Sequence, residues 1–256
     1  MPGGGKARFV YRALRARFRD QRGEIRELRR VLRGGDVAVD VGANKGSYTY
    51  WMRRAVGSSG RVVAVEPQPE LASYLREACG SLGWSNVDVL EAAASDRAGR
   101  ATLRIPGSGA SPGASLERAA GTGGQAREVE CETVRLDDVL DRSSGRVALV
   151  KVDVEGHELA VFRGAERILE RHRPTLLFEC ESRHLGGKAP AGVFAFLAER
   201  GYRGFFFSRA GLRPIAEFDP AAHQRRAPGR FWKAPGYVNN FLFSATSGRE
   251  GVLERS

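Results

Sequence analysis

A glycine-punctuated turn, Asp40-Val41-Gly42-Ala43-Asn44-Lys45-Gly46, constrains the fold of this chain more than any other stretch. The apolar run before it, Val37-Ala38-Val39, predicts a buried strand, and the residues that follow it predict the start of a helix. A strand, a glycine-containing turn and a helix together form a nucleotide-binding crossover. The turn begins with a carboxylate, which repels a pyrophosphate and attracts a cation. The sequence therefore favours S-adenosylmethionine, which carries a sulfonium and an ammonium group, over a dinucleotide.

The composition is that of a globular protein. The 256 residues suffice for one large domain or two small ones, and the hydrophobic fraction of 42% supports a sizeable core. No apolar run reaches about 18 residues, so no transmembrane helix is expected. No apolar stretch with a cleavage signal follows the N-terminus, so a secretory peptide is not expected either. Three scattered cysteines, Cys79, Cys131 and Cys180, lack a metal-binding or disulfide pattern and favour a reducing, cytoplasmic location.

The net charge of +11 is concentrated near the N-terminus. Arginines crowd the segment from Arg12 to Arg33, and only Asp20, Glu24 and Glu27 dilute them. One interpretation is a solvated helix, because charge alone indicates solubility and weak association. The other is a patch that makes weak contact with an anionic surface, such as a nucleic acid, a lipid or a phosphorylated substrate.

Apolar segments alternate with helical patterns along the chain, which predicts a parallel sheet covered by helices on both faces. Residues 101–105 and 127–132 predict paired strands around a long Gly/Ser-rich loop, which is either a mobile tip or a lid. We expect a basic helical arm at residues 1–34, one domain at 35–247 with the hairpin as an insert at 95–135, and a tail at 248–256. The expected strands of the sheet are residues 36–41, 61–66, 87–92, 146–152, 175–180, 204–207 and 240–243. One or two amphipathic helices are expected over 11–32, and further helices over 69–82, from the block after the fourth strand to about 171, and over 193–200.

Three of the expected strands end in a carboxylate, namely Asp40, Glu66 and Asp153. Because ligands of open α/β sheets bind beyond the carboxyl ends of the strands, these acids are expected to share one site. Glu66 suits a bidentate hydrogen bond to the two ribose hydroxyls, Asp40 suits the ammonium, and Asp153 suits the sulfonium or the methyl acceptor. Gly42 and Gly46 allow the backbone to approach a ligand closely.

Several motifs resemble the FkbM family of S-adenosylmethionine-dependent methyltransferases. They are VDVGANKGSYT, VVAVEPQPE, AAASD, TVRLDDVL and, most specifically, LVKVDVEGHELAVFRGAERIL, with a weaker likeness in YVNNFLF. The resemblance implies an α/β, Rossmann-like class I methyltransferase fold, a three-layer sandwich around a seven-stranded, mostly parallel sheet whose last strand is antiparallel. It implies methylation of a hydroxyl on a sugar, glycan, lipid or polyketide-type natural product. It also implies that the cofactor contacts Asp40, Gly42, Ala43, Asn44, Gly46, Glu66, Pro67 and Asp153, and that adenine lies near Glu91, Ala92 and Ala93.

Methyl transfer to an alcohol benefits from a base that takes the hydroxyl proton. The candidates are Asp153, Glu155, His157 and Glu179, although His157 and Glu155 also suit the first turn of a helix. A divalent metal on Asp153, Glu155 and His157 is possible, but no ligand spacing requires it. The other histidines, among them His184, lack identifiable partners and are expected at the surface, and Trp232 is expected to anchor a loop.

Two other enzyme classes remain as alternatives. A nucleic-acid methyltransferase would explain the positive charge, but the chain has no Pro-Pro motif after the fourth strand, and an acidic pair stands there instead. A nicotinamide-dependent oxidoreductase would suit the crossover, but the third glycine of its phosphate-binding pattern is missing and Asp40 would repel the pyrophosphate.

Overall fold

The computed structural model describes residues 3–107, 109–111, 113–117, 126–140, 145–186, 189–227, 229 and 231–245. Residues 108, 112 and 118–125 of the Gly/Ser-rich loop, and the whole of the expected tail at 248–256, therefore lie outside the described residues. None of the helices in the described ranges has the length and apolar character needed to cross a bilayer.

The described elements alternate between strands and helices, as the sequence predicts. The strands are β1 Val37–Val41, β2 Arg61–Val65, β3 Val87–Leu90, β4 Ala93–Ala94, β5 Gly99–Pro106, β6 Ala126–Val134, β7 Val147–Val152, β8 Thr175–Glu179, β9 Tyr202–Ser208, β10 Gly211–Pro214 and β11 Asn240–Ala245. The α-helices are α1 Gly3–Arg15, α2 Arg22–Val31, α3 Ser47–Val56, α4 Pro69–Ser81, α5 Leu136–Leu140, α6 Glu158–Arg163, α7 Glu166–His172, α8 Ala191–Ala198 and α9 Pro220–His223. A π-helical turn, Ala16–Asp20, joins α1 to α2.

Among the described residues the main sheet has eight strands, in the order β10-β9-β11-β8-β7-β1-β2-β3. Five neighbouring strands of this sheet run parallel, namely β8, β7, β1, β2 and β3. The strand β11 lies between β8 and β9 and is antiparallel to both. The expected fold class is therefore confirmed, with its last strand antiparallel. The sheet has one strand more than the expected seven, because β10 folds back antiparallel on β9. A second sheet, β4-β6-β5, contains the expected hairpin.

The central strands are buried on both faces, which explains their nearly continuous apolar sequences. Every residue of β1 and β7 is buried. One face packs mainly against α5 to α8 through residues such as Phe162 and Leu169. The other packs against α2 and α3 through residues such as Ile25, Leu28 and Met52.

The N-terminal arm contributes to this core. Phe9 of α1 is fully buried and its ring contacts Tyr50, Tyr74 and Trp84 at centroid distances of 6.0, 6.3 and 6.2 Å. Gly46 leaves room for that ring, because a Cβ on this residue would lie 2.4 Å from it. The glycine at the end of the turn is thus required by packing of the arm.

The helix that was expected to run from Glu158 to Arg171 is interrupted. It divides into α6 and α7 around Gly164, where a Cβ would lie 1.9 Å from the Ser95 carbonyl oxygen. The close approach of the Ser95 backbone leaves no room for a side chain at this position, and the expectation of one continuous helix is wrong.

A buried lysine lies among the strand-end acids. Lys151 of β7 is 2% exposed, pairs in register with Asp40 of β1, and places Nζ 2.9 Å from Asp153 Oδ2. Asp40 also accepts a hydrogen bond of 2.6 Å from the Thr49 hydroxyl. Burial opposes the charge of Lys151, but Asp153, Asp40 and Glu179 together raise its pKa. The lysine therefore remains charged and compensates Asp153 and Asp40.

Glu158, at the start of α6, is buried, and it forms no ion pair with the basic side chains of the described ranges. Its Oε1 accepts the Gly156 N–H at 2.9 Å, whereas its buried Oε2 has no hydrogen-bond partner among the described residues. Burial, assisted by the charges of Asp153 and Glu155, raises its pKa from 4.5 to about 8. The neutral carboxyl is therefore the form that the folded protein favours near pH 7.

We expect Phe9→Ala to lower the free energy of unfolding by about 3–5 kcal/mol, because it empties the site among the three aromatic rings. Chemical denaturation of the full chain measures this change. Phe18→Ala, on the same arm but 64% exposed, is the matched control and should change stability by less than about 0.5 kcal/mol. Equal effects of the two substitutions would show that the arm does not belong to the core.

We expect Glu158→Gln to flatten the dependence of stability on pH. Folding takes up a proton at Glu158 between its unfolded pKa of 4.5 and its folded pKa of about 8, so stability from this group falls as pH rises through that window. We therefore expect the unfolding temperature of the variant, measured relative to that of the wild type, to be higher at about pH 8 than at about pH 5. Glu77→Gln, at an exposed position on α4, is the control. A stability difference that does not change with pH would contradict the burial of an uncompensated Glu158.

Candidate functional site

A cavity of about 400 Å³ lies at the carboxyl edge of the parallel strands. It lies at the point where the strand order reverses. The strands β2 and β3 lie on one side of β1, whereas β7 and β8 lie on its other side. Ligands of open α/β sheets bind at such a switch point. Its volume lies within the usual range for small-molecule sites. The wall combines residues after β1, β2, β3, β7 and β8 with Leu103 of β5, the segment 113–116 and Trp232.

The turn after β1 forms one wall of the cavity. Gly42 has φ +74° and Asn44 has φ +50°, so both residues adopt the left-handed conformation, which glycine and asparagine tolerate better than other residues. A Cβ on Gly42 would lie 1.9 Å from the Asp153 carbonyl oxygen. The glycine therefore allows the ends of β1 and β7 to meet, which brings the residues after both strands into one cavity.

Glu66 lies between the turn and the cavity. Its carboxylate accepts the Asn44 N–H at 2.8 Å on Oε2 and the Gln68 N–H at 3.0 Å on Oε1. The side chain lines the cavity yet is only 2% exposed, and burial raises its pKa to about 7. No basic side chain pairs with it among the described residues. Each oxygen keeps acceptor capacity for a further donor, which the two ribose hydroxyls of S-adenosylmethionine would supply. The residues present therefore fit this cofactor.

The other residues expected to hold the cofactor divide into two groups. Gly42, Asn44, Pro67, Ala92, Ala93 and Asp153 line the cavity with Glu66. Asp40, Ala43, Gly46 and Glu91 do not belong to its wall. Asp40 is 1% exposed and is engaged by Thr49 beneath the turn, while Glu91 is exposed and pairs with Arg76 at 3.0 Å. Direct contact of these four residues with the cofactor stays a prediction.

The opposite end of the cavity, after β7 and β8, is rich in titratable groups. Asp153, Glu155, Glu179, Arg183 and His184 all line it. The carboxylate of Glu155 places Oε2 2.7 Å from His184 Nε2. Burial, and then the charges of Asp153, Glu155 and Glu181, raise the pKa of Glu179 well above its usual value. Glu179 is therefore held neutral and is poorly suited to take a proton.

Arg183 connects this end of the cavity to the loop that carries Trp232. The Arg183 guanidinium forms two hydrogen bonds, of 2.8 and 2.6 Å, with the buried carboxylate of Glu181. The same carboxylate accepts the Tyr237 hydroxyl at 2.5 Å. The Arg183 guanidinium also lies 4.6 Å from the centre of the Trp232 ring. Trp232 thus presents an aromatic surface at this end of the cavity.

His157 also lines the cavity, but both of its ring nitrogens are engaged. Nδ1 lies 2.8 Å from Glu117 Oε1, and Nε2 lies 2.9 Å from Ser95 Oγ. Ser95 is buried and does not line the cavity. These contacts attach the segment 113–117 to the start of α6, so His157 is better placed to hold this segment than to take a proton.

Sequence reasoning missed several residues of the site. His184 was expected at the surface, yet its side chain is only 17% exposed and contacts Glu155. Gln68 exchanges two hydrogen bonds of 2.9 Å with the Ser111 backbone, which closes the cavity over Glu66. The sequence does contain a pattern that marks Lys151, because this residue is a lone charge within an apolar strand. No local pattern marks Glu117 or His184, because their partners are distant in sequence.

Metal binding receives no separate support from the geometry. In the described part of the chain, no group of three or more His, Cys, Asp or Glu side chains is arranged to hold a metal ion. The divalent metal considered from the sequence stays a prediction.

Comparison with known proteins places the chain in a family. Residues 40–203 match the family model of the methyltransferase FkbM domain. Methyltransferase sdnD of Sordaria araneosa is 29% identical over 188 residues, which are 63% of this chain and 70% of that protein. A protein-L-isoaspartate O-methyltransferase of Ignicoccus hospitalis is 42% identical over 59 residues, 23% of this chain. That match spans only 28% of the length of the Ignicoccus protein.

Solved structures share the fold. A methyltransferase FkbM from Methylobacillus flagellatus superposes with a TM-score of 0.50 and 15% identity, over 94% of this chain and 55% of that chain. Cofactor-bound Rv0187 from MTB superposes with a TM-score of 0.52 and 15% identity, over 94% of this chain and 88% of that chain. Because the family model matches more than half of the chain, the chain belongs to the FkbM family of S-adenosylmethionine-dependent methyltransferases.

Proposed function

We propose that the protein transfers a methyl group from S-adenosylmethionine to a hydroxyl of a sugar, glycan, lipid or polyketide-type natural product. The observation that carries this proposal is the pairing of Glu155 with His184 in the same cavity as Glu66. The cavity thereby combines a carboxylate suited to ribose with a base suited to a hydroxyl. Family membership supports methyl transfer, the resemblance to the FkbM family implies the acceptor class, and the groups in the cavity are compatible with a hydroxyl acceptor.

The cofactor would occupy the end of the cavity formed after β1, β2 and β3. Glu66 would bind the ribose hydroxyls, and Ala92 and Ala93 would contact the adenine. Asp153 would lie near the sulfonium, where a carboxylate favours the positive charge. When bound, S-adenosylmethionine supplies a methyl group on an activated leaving group, so the protein mainly positions the acceptor and manages its proton.

The acceptor would occupy the end of the cavity formed after β7 and β8. β8 and β2 are three strand spacings apart, or about 14 Å. This separation leaves room for the methionine part of the cofactor and for an acceptor hydroxyl between Glu66 and the residues after β8. Arg183, Glu155 and the Trp232 ring offer a donor, an acceptor and an apolar face, a combination that suits a hydroxyl-rich molecule.

We assign the general base to His184, with Glu155 as the group that orients it. Nε2 of His184 lies 2.7 Å from Glu155 Oε2 but is not aligned for a hydrogen bond, so Glu155 would orient the ring through this charge contact and leave Nδ1 free to accept a proton. His184 Nδ1 forms no hydrogen bond with the described residues, whereas both nitrogens of His157 are engaged. Glu179 is disfavoured as the base because its pKa is raised by burial.

A nucleic-acid acceptor fits this cavity less well. Glu66, Asp153 and Glu155 line the cavity, and Arg183 is the basic side chain on its described wall. Carboxylates beside a phosphate backbone would repel it.

We further propose that residues 1–34 form an arm on a single domain at 35–247. We also propose that the protein is cytoplasmic, because its three cysteines are free and buried.

The proposed reaction can be tested with labelled cofactor. Purified protein, S-adenosylmethionine labelled on the methyl group and fractionated cell extract should yield a labelled small molecule or glycan. A methyl ether resists alkaline hydrolysis, whereas a methyl ester does not. A label that is released by mild base, or that is found in RNA, would contradict methylation of a hydroxyl.

We expect Glu66→Gln to weaken binding of S-adenosylmethionine by about 1–3 kcal/mol at pH 8, because one acceptor for a ribose hydroxyl is lost. Affinity of the wild type should fall as pH drops below about 7, since protonation of Glu66 removes the same acceptor, and the variant should lose this dependence. Isothermal titration calorimetry measures both effects. Glu77→Gln, an exposed carboxylate on α4 outside the cavity wall, is the control. Unchanged affinity in Glu66→Gln would refute the ribose assignment.

We expect His184→Asn to lower kcat by about 10²–10⁴-fold while leaving the affinity for S-adenosylmethionine unchanged, because the general base is removed. Glu155→Gln should lower kcat by a smaller factor and change the pH–rate profile, since it disturbs the orientation of the imidazole. His172→Asn is the control, because His172 contacts the first residue of β7 at the opposite edge of the sheet. Turnover of His184→Asn within a few-fold of the wild type would exclude His184 as the base.

A further inference from the structure

The N-terminal arm, defined as α1, the π-helical turn and α2, exposes an apolar stripe. Tyr11 and Phe18 are each 64% exposed and Leu14 is 39% exposed. They are the exposed large hydrophobic side chains of the described residues, and all three lie on this arm. Tyr11 and Leu14 of α1 and Phe18 of the π-helical turn follow one another at spacings of three and four residues, whereas Phe9 and Ala13 of α1 are buried. The stripe is independent of the methyl-transfer site.

Positive charge surrounds the stripe. Residues 6–33 contain eleven basic side chains and three acidic ones. Of the acids, Glu27 is 2% exposed and pairs with Arg26 and Arg30, and Asp20 pairs with Arg15 at 2.8 Å. The exposed surface beside the stripe is therefore strongly basic, with the exposed side chains of Arg8, Arg15, Arg19, Arg22, Arg26 and Arg29.

A basic groove continues from the stripe. It has a volume of about 1020 Å³, lies between the arm and β9–β10, and shares Phe18 with the stripe. Inside it, the guanidiniums of Arg17 and Arg29 lie 4.7 and 5.7 Å from the centre of the Trp51 ring. Neither forms an ion pair with a described residue. Desolvation and the charge of Arg29 lower the pKa of Arg17, and an anion bound between the two would relieve their repulsion.

We infer that this arm docks the protein on an anionic lipid bilayer. The side chains of Tyr11, Leu14 and Phe18 would enter the interface between headgroups and acyl chains, and the arginines would bind lipid phosphates at the stripe and in the groove. A helix with an apolar stripe flanked by arginines has the character of an interfacial helix. Attraction of basic side chains to anionic lipids adds to the burial of the stripe.

Charge and shape argue against the other occupants. A second copy would bring two strongly basic arms together, which like charges disfavour. Single-stranded nucleic acid is bound by aromatic platforms on which bases stack. Here the most exposed aromatic rings alternate with Leu14 on a convex helix, a surface suited to an acyl environment.

The test is sedimentation of the full chain with lipid vesicles. We expect binding to vesicles of equal parts phosphatidylglycerol and phosphatidylcholine, little binding to phosphatidylcholine alone, and weaker binding as salt is raised. The apolar variant is Tyr11→Ser, Leu14→Ser and Phe18→Ser combined. The charge variant is Arg8→Gln, Arg19→Gln and Arg22→Gln combined. Each should weaken binding by about tenfold or more.

The control variant removes the same charge from another face, through Arg97→Gln, Arg100→Gln and Arg163→Gln, all of which are exposed. It should bind vesicles as the wild type does. All variants should retain the thermal unfolding and the S-adenosylmethionine affinity of the wild type, which separates loss of docking from loss of fold or of the proposed function. Absence of vesicle binding, full binding by the apolar variant, or binding of single-stranded RNA in place of vesicles would overturn the inference. Self-association that the apolar variant abolishes would overturn it as well.

Discussion

The buried ion pair between Lys151 and Asp153, with Asp40 beside it in register, underlies the rest of the structure. Asp40 and Asp153 lie close together at one edge of the sheet, and two buried carboxylates without a compensating charge would destabilise the fold. Lys151 supplies that charge from within an apolar strand. The edge can therefore keep acidic groups facing a cavity, which is what a cationic methyl donor requires. The sheet and the electrostatics of the site depend on the same side chain.

The order of the elements was predictable because it follows from local patterns. Apolar strands, glycine turns and the Asp-Val-Glu-Gly-His-Glu block lie in continuous sequence, and the parallel sheet follows from their alternation. β10 was missed because its four residues, Gly211–Pro214, are too short and mixed to show a strand pattern. The break between α6 and α7 was missed because its cause, the Ser95 backbone at Gly164, is distant in sequence.

The residues that line the cavity after β1 and β2 were predictable from the sequence, and those that line it after β8 were less so. Glu66 could be located because it terminates a strand, and the adjacent turn carries its own signature. The Glu155–His184 contact joins two loops that follow different strands, and no sequence pattern in either loop predicts a contact with the other. Likewise, Gly46 looked like a residue for a ligand, but its missing side chain makes room for Phe9 of the arm. Motifs therefore located the binding edge, and tertiary packing determined which of their residues face it.

The central claim is that the cavity at the switch point holds S-adenosylmethionine with its ribose on Glu66. The most direct measurement is a crystal structure of the protein with S-adenosylhomocysteine, which has the same nucleoside and lacks the reactive methyl group. We expect both ribose hydroxyls within hydrogen-bond distance of the Glu66 carboxylate and the sulfur between Gly42 and Asp153. A nucleoside bound away from Glu66, or outside this cavity, would contradict it.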